Sequence, residues 1–385
     1  MGSLVPPARQ GILSGDDRVP LPRREVLETT PELHGACHAM ALDYAELERM
    51  DLDQDCVLDF SVNSNPYGPP PGVREALDCV PLDRYPDRES LALRRALADG
   101  LGRSPGEIVV GNGTAELLGL IALAFLRAGD RVLVVGPTFG EYARVSRLMG
   151  AQVDVWMAQR EQGFAVDPAA VQRRLRELEP RLVFLCNPNN PTGTALEPAA
   201  MADWAAAHPE TLFIVDEAYL AFARGLLSAL SLQAPNVLVL RSMTKDYALA
   251  GLRLGYAVGP QRLVDALARV RPPWNVNALA QAAGLAALRD HRHLRETLDA
   301  LHAAGAQLVT GLRQRGWDPL PSTVHFFLIE VGDGGCFGAR LLRRGILVRD
   351  CASFGLPSYV RIAPRRPEEN ARLLAAMAEV GSSCG

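Results

Sequence analysis

One lysine stands in a chain of 385 residues whose 40 lysine-plus-arginine side chains are otherwise all arginine: Lys245, within "RSMTKDYALAGLRLGY" at 241–256. Arginine stays protonated and does not attack carbonyls. Lysine gives up its proton when desolvated and then serves as nucleophile or base. A lysine kept where every other long cation is arginine, among Ser242, Thr244, Gly251 and Arg253, points to amine chemistry rather than to a solvated surface charge. Asn112 in "VVGNG", Asn187 in "FLCNP" and Asp216 in "FIVDEAY" also end apolar runs. Ligands of open α/β sheets bind beyond the carboxyl ends of the strands, so these residues are expected to share one site with Lys245.

Each has a plain alternative. Asp216 alone reads as a turn cap, and "NPNNPTG" at 187–193 reads as a turn, because Asn, Pro and Gly are turn residues. "GNGTAELL" places Gly113, Thr114 and Ala115 at the start of an apolar helix, where free backbone N–H groups favour an anion, although a lone glycine turn is weak evidence.

The elements that must position these residues alternate along the chain. "EIVVGNG", "DRVLVVGP", "AQVDVWM", "RLVFLCNP", "TLFIVDEAY", "NVLVLRSM" and "RLGYAVG" read as seven strands, with helices expected over 114–127, 139–149, 168–178 and 197–207. Continuous apolar runs separated by helices predict an α/β fold: a three-layer sandwich around a mostly parallel sheet, helices covering both faces. After 260 the chain turns helical, then closes with "VHFFLIEV", a helix, "GILVRD", "YVRIAP" and a last helix over 367–380, which predicts a smaller α+β domain. The expected division is a loosely ordered extension (1–30), an N-terminal segment packing with the small domain (31–71), a large domain (72–285) and a small C-terminal domain (286–385).

Composition narrows the partners. With 48% hydrophobic and 22% charged residues, a net charge of -4 and no basic run, the chain is expected to be soluble and to bind neither nucleic acid nor membrane. The longest apolar stretch, "LLGLIALAFL", is too short to span a bilayer. Seven cysteines, an odd count without a Cys-x-x-Cys pair, are expected to be reduced thiols in a cytoplasmic protein, and no metal site is expected.

"SMTKDYALAGLRLGY" resembles the cofactor-lysine motif of the fold-type I, class I/II aminotransferases, which use pyridoxal 5'-phosphate (PLP), and the resemblance extends over about 31–380. It implies a Schiff base at Lys245, with Asp216 pairing the pyridine nitrogen and Tyr219 and Asn190 at the ring hydroxyl. Gly113, Thr114, Ala115, Ser242, Thr244 and Arg253 would hold the phosphate, and Phe139 would stack on the ring. Tyr85 in "RYPD" would reach the phosphate of the other subunit, which makes the working unit a homodimer. Arg361 would fork onto a substrate carboxylate, Arg349 would suit a substrate phosphate, and His34 and Asn65 are placed with the substrate.

"LDFSVNSNPYGPPP" at 58–71 is similar to the opening of two branches of the family, histidinol-phosphate aminotransferase and threonine-phosphate decarboxylase of the cobalamin pathway. The expected reaction is amino transfer from a small amino acid or phosphate-bearing amine. Decarboxylation and a specialised-metabolism variant are alternatives. A PLP-binding regulator is the alternative outside enzymes, but such proteins usually fuse a DNA-binding module, for which the Pro-rich first thirty residues are too short.

Overall fold

A computed structural model describes residues 23–29 and 57–381. Seven of its strands form the central sheet: β2 (Ile108–Gly111), β3 (Arg131–Gly136), β4 (Gln152–Met157), β5 (Leu182–Cys186), β6 (Leu212–Asp216), β7 (Val237–Ser242) and β8 (Gly255–Val258), ordered β2-β8-β7-β6-β5-β3-β4. Only β8 runs antiparallel to its neighbours, and the other pairings are parallel. The seven runs of the sequence reading are these seven strands.

Every residue of β5 and β6 is buried, the pattern expected of parallel strands covered on both faces. Side chains alternate between the faces. Phe184, Ile214 and Leu240 join one core with Leu117 and Ile121 of the helix Gly113–Phe125. Val183, Val215 and Val239 join another with Leu175 and Trp204 on the helices Pro168–Leu178 and Pro198–Ala207. The helix Pro168–Leu178 starts where it does because Asp167 accepts from the amides of Ala169 (2.9 Å) and Ala170 (3.2 Å), with proline in the first helical turn.

The remaining strands are short: β1 (Leu58–Asp59), β9 (Phe327–Glu330), β10 (Ile346–Leu347), β11 (Arg349–Asp350) and β12 (Tyr359–Ile362). β1 pairs in parallel with β10, Leu58 opposite Ile346, while β11, β12 and β9 form an antiparallel sheet. Phe60, just after β1, is buried in one core with Leu308, Trp317, Phe337, Ile362 and Leu373. The chain before the large sheet is thereby fastened to its last hundred residues. The helix Ala278–Arg289 runs through 285–286 and packs Ala280, Ala283 and Ala287 against Leu93, Val110 and Tyr256.

Cys79, Cys186 and Cys351 are free thiols, but Cys336 is disulfide-bonded, which corrects the expectation that all the cysteines are reduced. No helix among the described residues is long and apolar enough to cross a membrane.

Candidate active site

The ends of β5, β6 and β7 lie side by side, with Cys186 opposite Asp216 and Asp216 opposite Leu240, so the loops that follow them open at one edge of the sheet. Lys245 lies three residues beyond β7. Its main-chain carbonyl accepts from the Asn65 amide (2.9 Å). The Asn65 side chain donates to the Asp246 carbonyl (3.0 Å) and to Thr297 Oγ1 (2.9 Å), and its oxygen accepts from the Tyr67 amide (3.1 Å). The segment after β1 therefore braces the lysine through its backbone.

Burial depresses the Lys245 amine to about 8, with the Arg361 and Arg253 guanidiniums adding to the effect and Asp216 and Asp59 opposing it. An ordinary lysine would hold almost no neutral amine near neutral pH. This one holds a working fraction.

Asp216 is buried at the end of β6. Tyr142 Oη donates to its Oδ2 (2.8 Å), and the Ala218 amide donates to its Oδ1 (3.0 Å). Burial raises its pKa, and these two donors pull it back down. Such a carboxylate is poised to keep a neighbouring ring nitrogen protonated. Sequence reasoning missed Tyr142. Its ring stacks on Phe184 at 5.1 Å and meets Phe139 edge-on at 5.6 Å, so its hydroxyl is aimed by core packing that no local motif reveals. Cys186 nearby is buried and pushed up to about 12, which makes it an inert thiol.

The "NPNNPTG" loop is a turn, as its composition says, but an internally bonded one. Asn187 exchanges two hydrogen bonds with Leu196 (2.9 and 2.8 Å), while Asn189 donates to the Pro137 carbonyl and Thr192 and accepts from Thr138 (2.8 Å). Asn190 is thereby left to face the site, where its Oδ1 accepts from Arg361. Tyr219 is buried, its phenol pushed up to about 12 by desolvation, and its ring meets Phe326 edge-on at 4.9 Å.

A cradle for an anion lies at the start of the helix Gly113–Phe125, whose first N–H groups have no partner within the helix. Gly113 has φ +78°, and a Cβ there would stand 2.8 Å from Arg253 Nη2. A Cβ on Gly255 would stand 2.8 Å from the Thr114 amide nitrogen. Both glycines are needed for the guanidinium and the helix start to approach so closely. Arg253 itself sits at φ +58° and donates to the Ala250 carbonyl (3.1 Å). Ser242 and Thr244 share a hydrogen bond of 2.6 Å between their hydroxyls. Ala115 is exposed in the same turn. Backbone amides, two hydroxyls and a guanidinium suit a phosphate dianion, and with the desolvated lysine and the buried carboxylate they fit PLP.

Two arginines stand across from each other in register on β11 and β12, Arg349 opposite Arg361, and both are buried. Arg361 donates to Asn190 Oδ1 and to the Ser61 carbonyl, with its guanidinium 5.4 Å from the Phe326 ring centroid. Arg349 donates to Ser353 Oγ (2.7 Å) and lies over Phe354. Asp59, whose carboxylate accepts from the Ser61 amide (2.7 Å), adds a negative field near both Arg361 and Lys245, and neither Asp59 nor Ser61 was foreseen. Tyr85 is 81% exposed and stacks on Trp274 at 4.7 Å, on the outside of its own chain. His34 lies outside the described residues. No cluster of metal-ligating side chains occurs among the described residues.

Residues 55–377 match the family model described as aminotransferase class I and II. Among curated proteins, the chain is 38% identical over 338 residues to histidinol-phosphate aminotransferase 2 of Ralstonia nicotianae, covering 85% of this chain and 89% of that one. It is 39% identical over 326 residues to histidinol-phosphate aminotransferase of Symbiobacterium thermophilum, covering 82% and 88%. Among solved structures, it superimposes on Sinorhizobium meliloti histidinol-phosphate aminotransferase in complex with pyridoxal-5'-phosphate with a TM-score of 0.83 at 25% identity, covering 96% and 99%. It also superimposes on a Thermus thermophilus aspartate aminotransferase double mutant with a TM-score of 0.82 at 25% identity, covering 94% and 100%. The chain belongs to the aminotransferase class I and II family and is a PLP-dependent aminotransferase of fold type I.

Proposed function

We propose that the protein moves an amino group between a small phosphate-bearing amine of the histidinol-phosphate type and a keto acid. The observation that carries this reading is the pairing of a desolvated lysine with two buried arginines in register. Lys245 can move a proton near neutral pH, and Arg361 with Arg349 offers one seat for a phosphate or a carboxylate. The two curated relatives, each named as a histidinol-phosphate aminotransferase, support the same substrate class.

Lys245 would hold the cofactor, and Asp216 would pair its ring nitrogen. Asn190 and Tyr219 would face the ring hydroxyl, with Phe139 against the ring. Gly113, Thr114, Ala115, Ser242, Thr244 and Arg253 would grip the phosphate. When bound, PLP supplies an electron-withdrawing ring that accepts the electron pair left when a bond at the amino-bearing carbon breaks. The chain decides which bond that is. Arg361 and Arg349 fix the anionic end of the substrate. Lys245 takes the proton from the amino-bearing carbon and returns it on the other side of the exchange. Asn65, its side chain already engaged with Thr297 and the Asp246 carbonyl, would act on the substrate through the lysine it braces.

The working unit is a homodimer in this reading, with the exposed Tyr85 contributing to the partner's phosphate seat. A cytoplasmic location suits an enzyme of phosphorylated metabolites, and the Cys336 disulfide is the feature that runs against it.

A single-turnover experiment tests the reaction. PLP-loaded enzyme is mixed separately with histidinol phosphate and with O-phosphothreonine, without keto acid. Stoichiometric conversion of the cofactor to its amine form by histidinol phosphate, without CO2, is the expected result. Repeated CO2 release from O-phosphothreonine with PLP regenerated would replace this reading with the decarboxylase.

A further inference from the structure

Buried side-chain nitrogens and oxygens without a hydrogen-bond partner are uncommon, because each keeps its desolvation cost uncompensated. Among the described residues they fall on Asn63, His325, Arg361 and Arg144. The first three adjoin. Both amide atoms of Asn63 and both ring nitrogens of His325 are unpaired, although these residues are only 2% and 5% exposed.

Their surroundings converge on Tyr219. The His325 ring lies against Phe222, centroids 3.9 Å apart and planes tilted by 34°. The next residue, Phe326, meets Tyr219 edge-on at 4.9 Å. The Phe222 amide donates to the Tyr219 carbonyl (3.0 Å), so residues 325 and 326 hold both ends of the turn that carries the tyrosine. From the other side, the Asn63 main chain faces the His325 imidazole, and the Asn63 amide faces the Tyr219 phenol and favours its ionised form. Neither amide atom makes a hydrogen bond of proper geometry. The loop is otherwise firmly seated: Thr323 donates to the Gly193 carbonyl through its amide (2.8 Å) and its hydroxyl (2.7 Å).

We infer that His325 is a positioning residue for the reaction: its ring is seated on Phe222, and its nitrogens, through Asn63, fix where the Tyr219 phenol points once PLP is bound. The inference rests on the proposed role of Tyr219 at the cofactor ring. Burial pushes the imidazole down to about 3, with the Arg361 guanidinium and then His302 and Lys245 adding to the effect. It is therefore neutral at any working pH, with one donor and one acceptor, and exchanges no proton in the reaction. Packing alone does not account for a histidine here. A phenylalanine would fill the place against Phe222 without leaving two nitrogens unpaired, and a side chain that weakens the resting fold while facing a site is the signature of a functional constraint.

The test compares His325→Phe with His325→Gln as PLP-loaded enzymes. The phenylalanine keeps the stack and removes both nitrogens; the glutamine keeps a donor and an acceptor and removes the stack. A Tyr219 hydroxyl donating to the ring oxygen favours the deprotonated chromophore, so a misplaced Tyr219 moves the pH midpoint of the visible band upward. His325→Phe should melt about 2 °C higher than wild type without cofactor. It should raise the midpoint by about half a unit. It should also lower kcat roughly tenfold with KM little changed. His325→Gln should melt lower yet keep the midpoint nearer to that of the wild type. A His325→Phe protein that fails to fold, or that folds with midpoint and kcat unmoved, overturns the inference and makes His325 a packing residue. A wild-type protein that never develops the visible band overturns the proposed function and this inference with it, and the two failures are told apart by that band.

Discussion

The two walls of the active site are built differently. On the wall made by the large sheet, nearly every polar group has its partner in place. Asp216 holds two donors, Asn187 and Asn189 are bonded inside their loop, and Ser242 is bonded to Thr244. On the wall made by the segment after β1, the loop before β9 and strand β12, Asn63, His325 and Arg361 all carry unpaired buried atoms. In the proposed reading the first wall holds a cofactor that stays, and its electrostatics are preorganised. In that reading the second wall seats the substrate through Arg361 and orients Tyr219 through Asn63 and His325, and its unpaired atoms are the ones these tasks would engage. Full hydrogen bonding thus goes with the part of the site that would hold the cofactor, and unmet hydrogen bonding with the part that would bind substrate and orient Tyr219.

Substitutions can break that contrast. Lys245→Ala should have the largest effect: loss of the visible cofactor band and a fall in kcat of roughly 10²–10⁴-fold or more, read by absorbance and single-turnover kinetics. Near-wild-type turnover would sink the proposed chemistry. Asp216→Asn keeps an acceptor for Tyr142 but removes the charge. It should cost on the order of a hundredfold in kcat with little change in melting temperature, because the preorganised wall loses its field but not its packing. Arg361→Ala acts on the other wall, and a charged hydrogen bond is worth about 1.5–3 kcal/mol, so kcat/KM should fall about ten- to a hundredfold. If Arg361 and Arg349 share one anion seat, the loss should be as large for histidinol phosphate as for a keto acid. A loss confined to the keto acid would separate the two arginines.

Smallest is an effect on stability without cofactor. The folded amine of Lys245 titrates near 8 against an ordinary 10.5. Between those values the unfolded chain binds more protons, so stability should rise with pH through this window and be lowest below about 8. Lys245→Met should flatten that rise in denaturant titrations. An unchanged slope would mean that the lysine is not desolvated without PLP.

Much of this was legible in the sequence, for identifiable reasons. Strands β5 and β6 announce themselves as unbroken apolar runs because both of their faces are covered, and residues at their ends are conspicuous because they interrupt that pattern. Asp216 was visible for this reason, and Lys245, three residues beyond β7, because it is the one lysine of the chain. Gly113 and Arg253 were legible as parts of separate motifs, but their contact was not, since it depends on a close approach that only the fold creates. Tyr142, Asp59, Ser61, Asn63 and His325 had no such signal. They sit in loops, in the two-residue strand β1 or at a helix start, where no period marks the inward face, and they meet across separations as long as that between Ser61 and Arg361. The Cys336 disulfide was likewise invisible, because an odd cysteine count without a spacing motif does not single out any pair.

A chain with one lysine has no decoys. Reagents and metabolites that seek amines, from activated esters to sugar aldehydes, find on this protein only the N-terminus and the guarded side chain beyond β7. Borohydride reduction of the PLP-loaded enzyme should therefore mark a single tryptic peptide, and its yield counts occupied sites directly. The arginine-only surface is also spared the background lysine adducts that free PLP forms on most proteins. An enzyme that must keep one amine for an aldehyde cofactor gains in chemical selectivity by offering no second one.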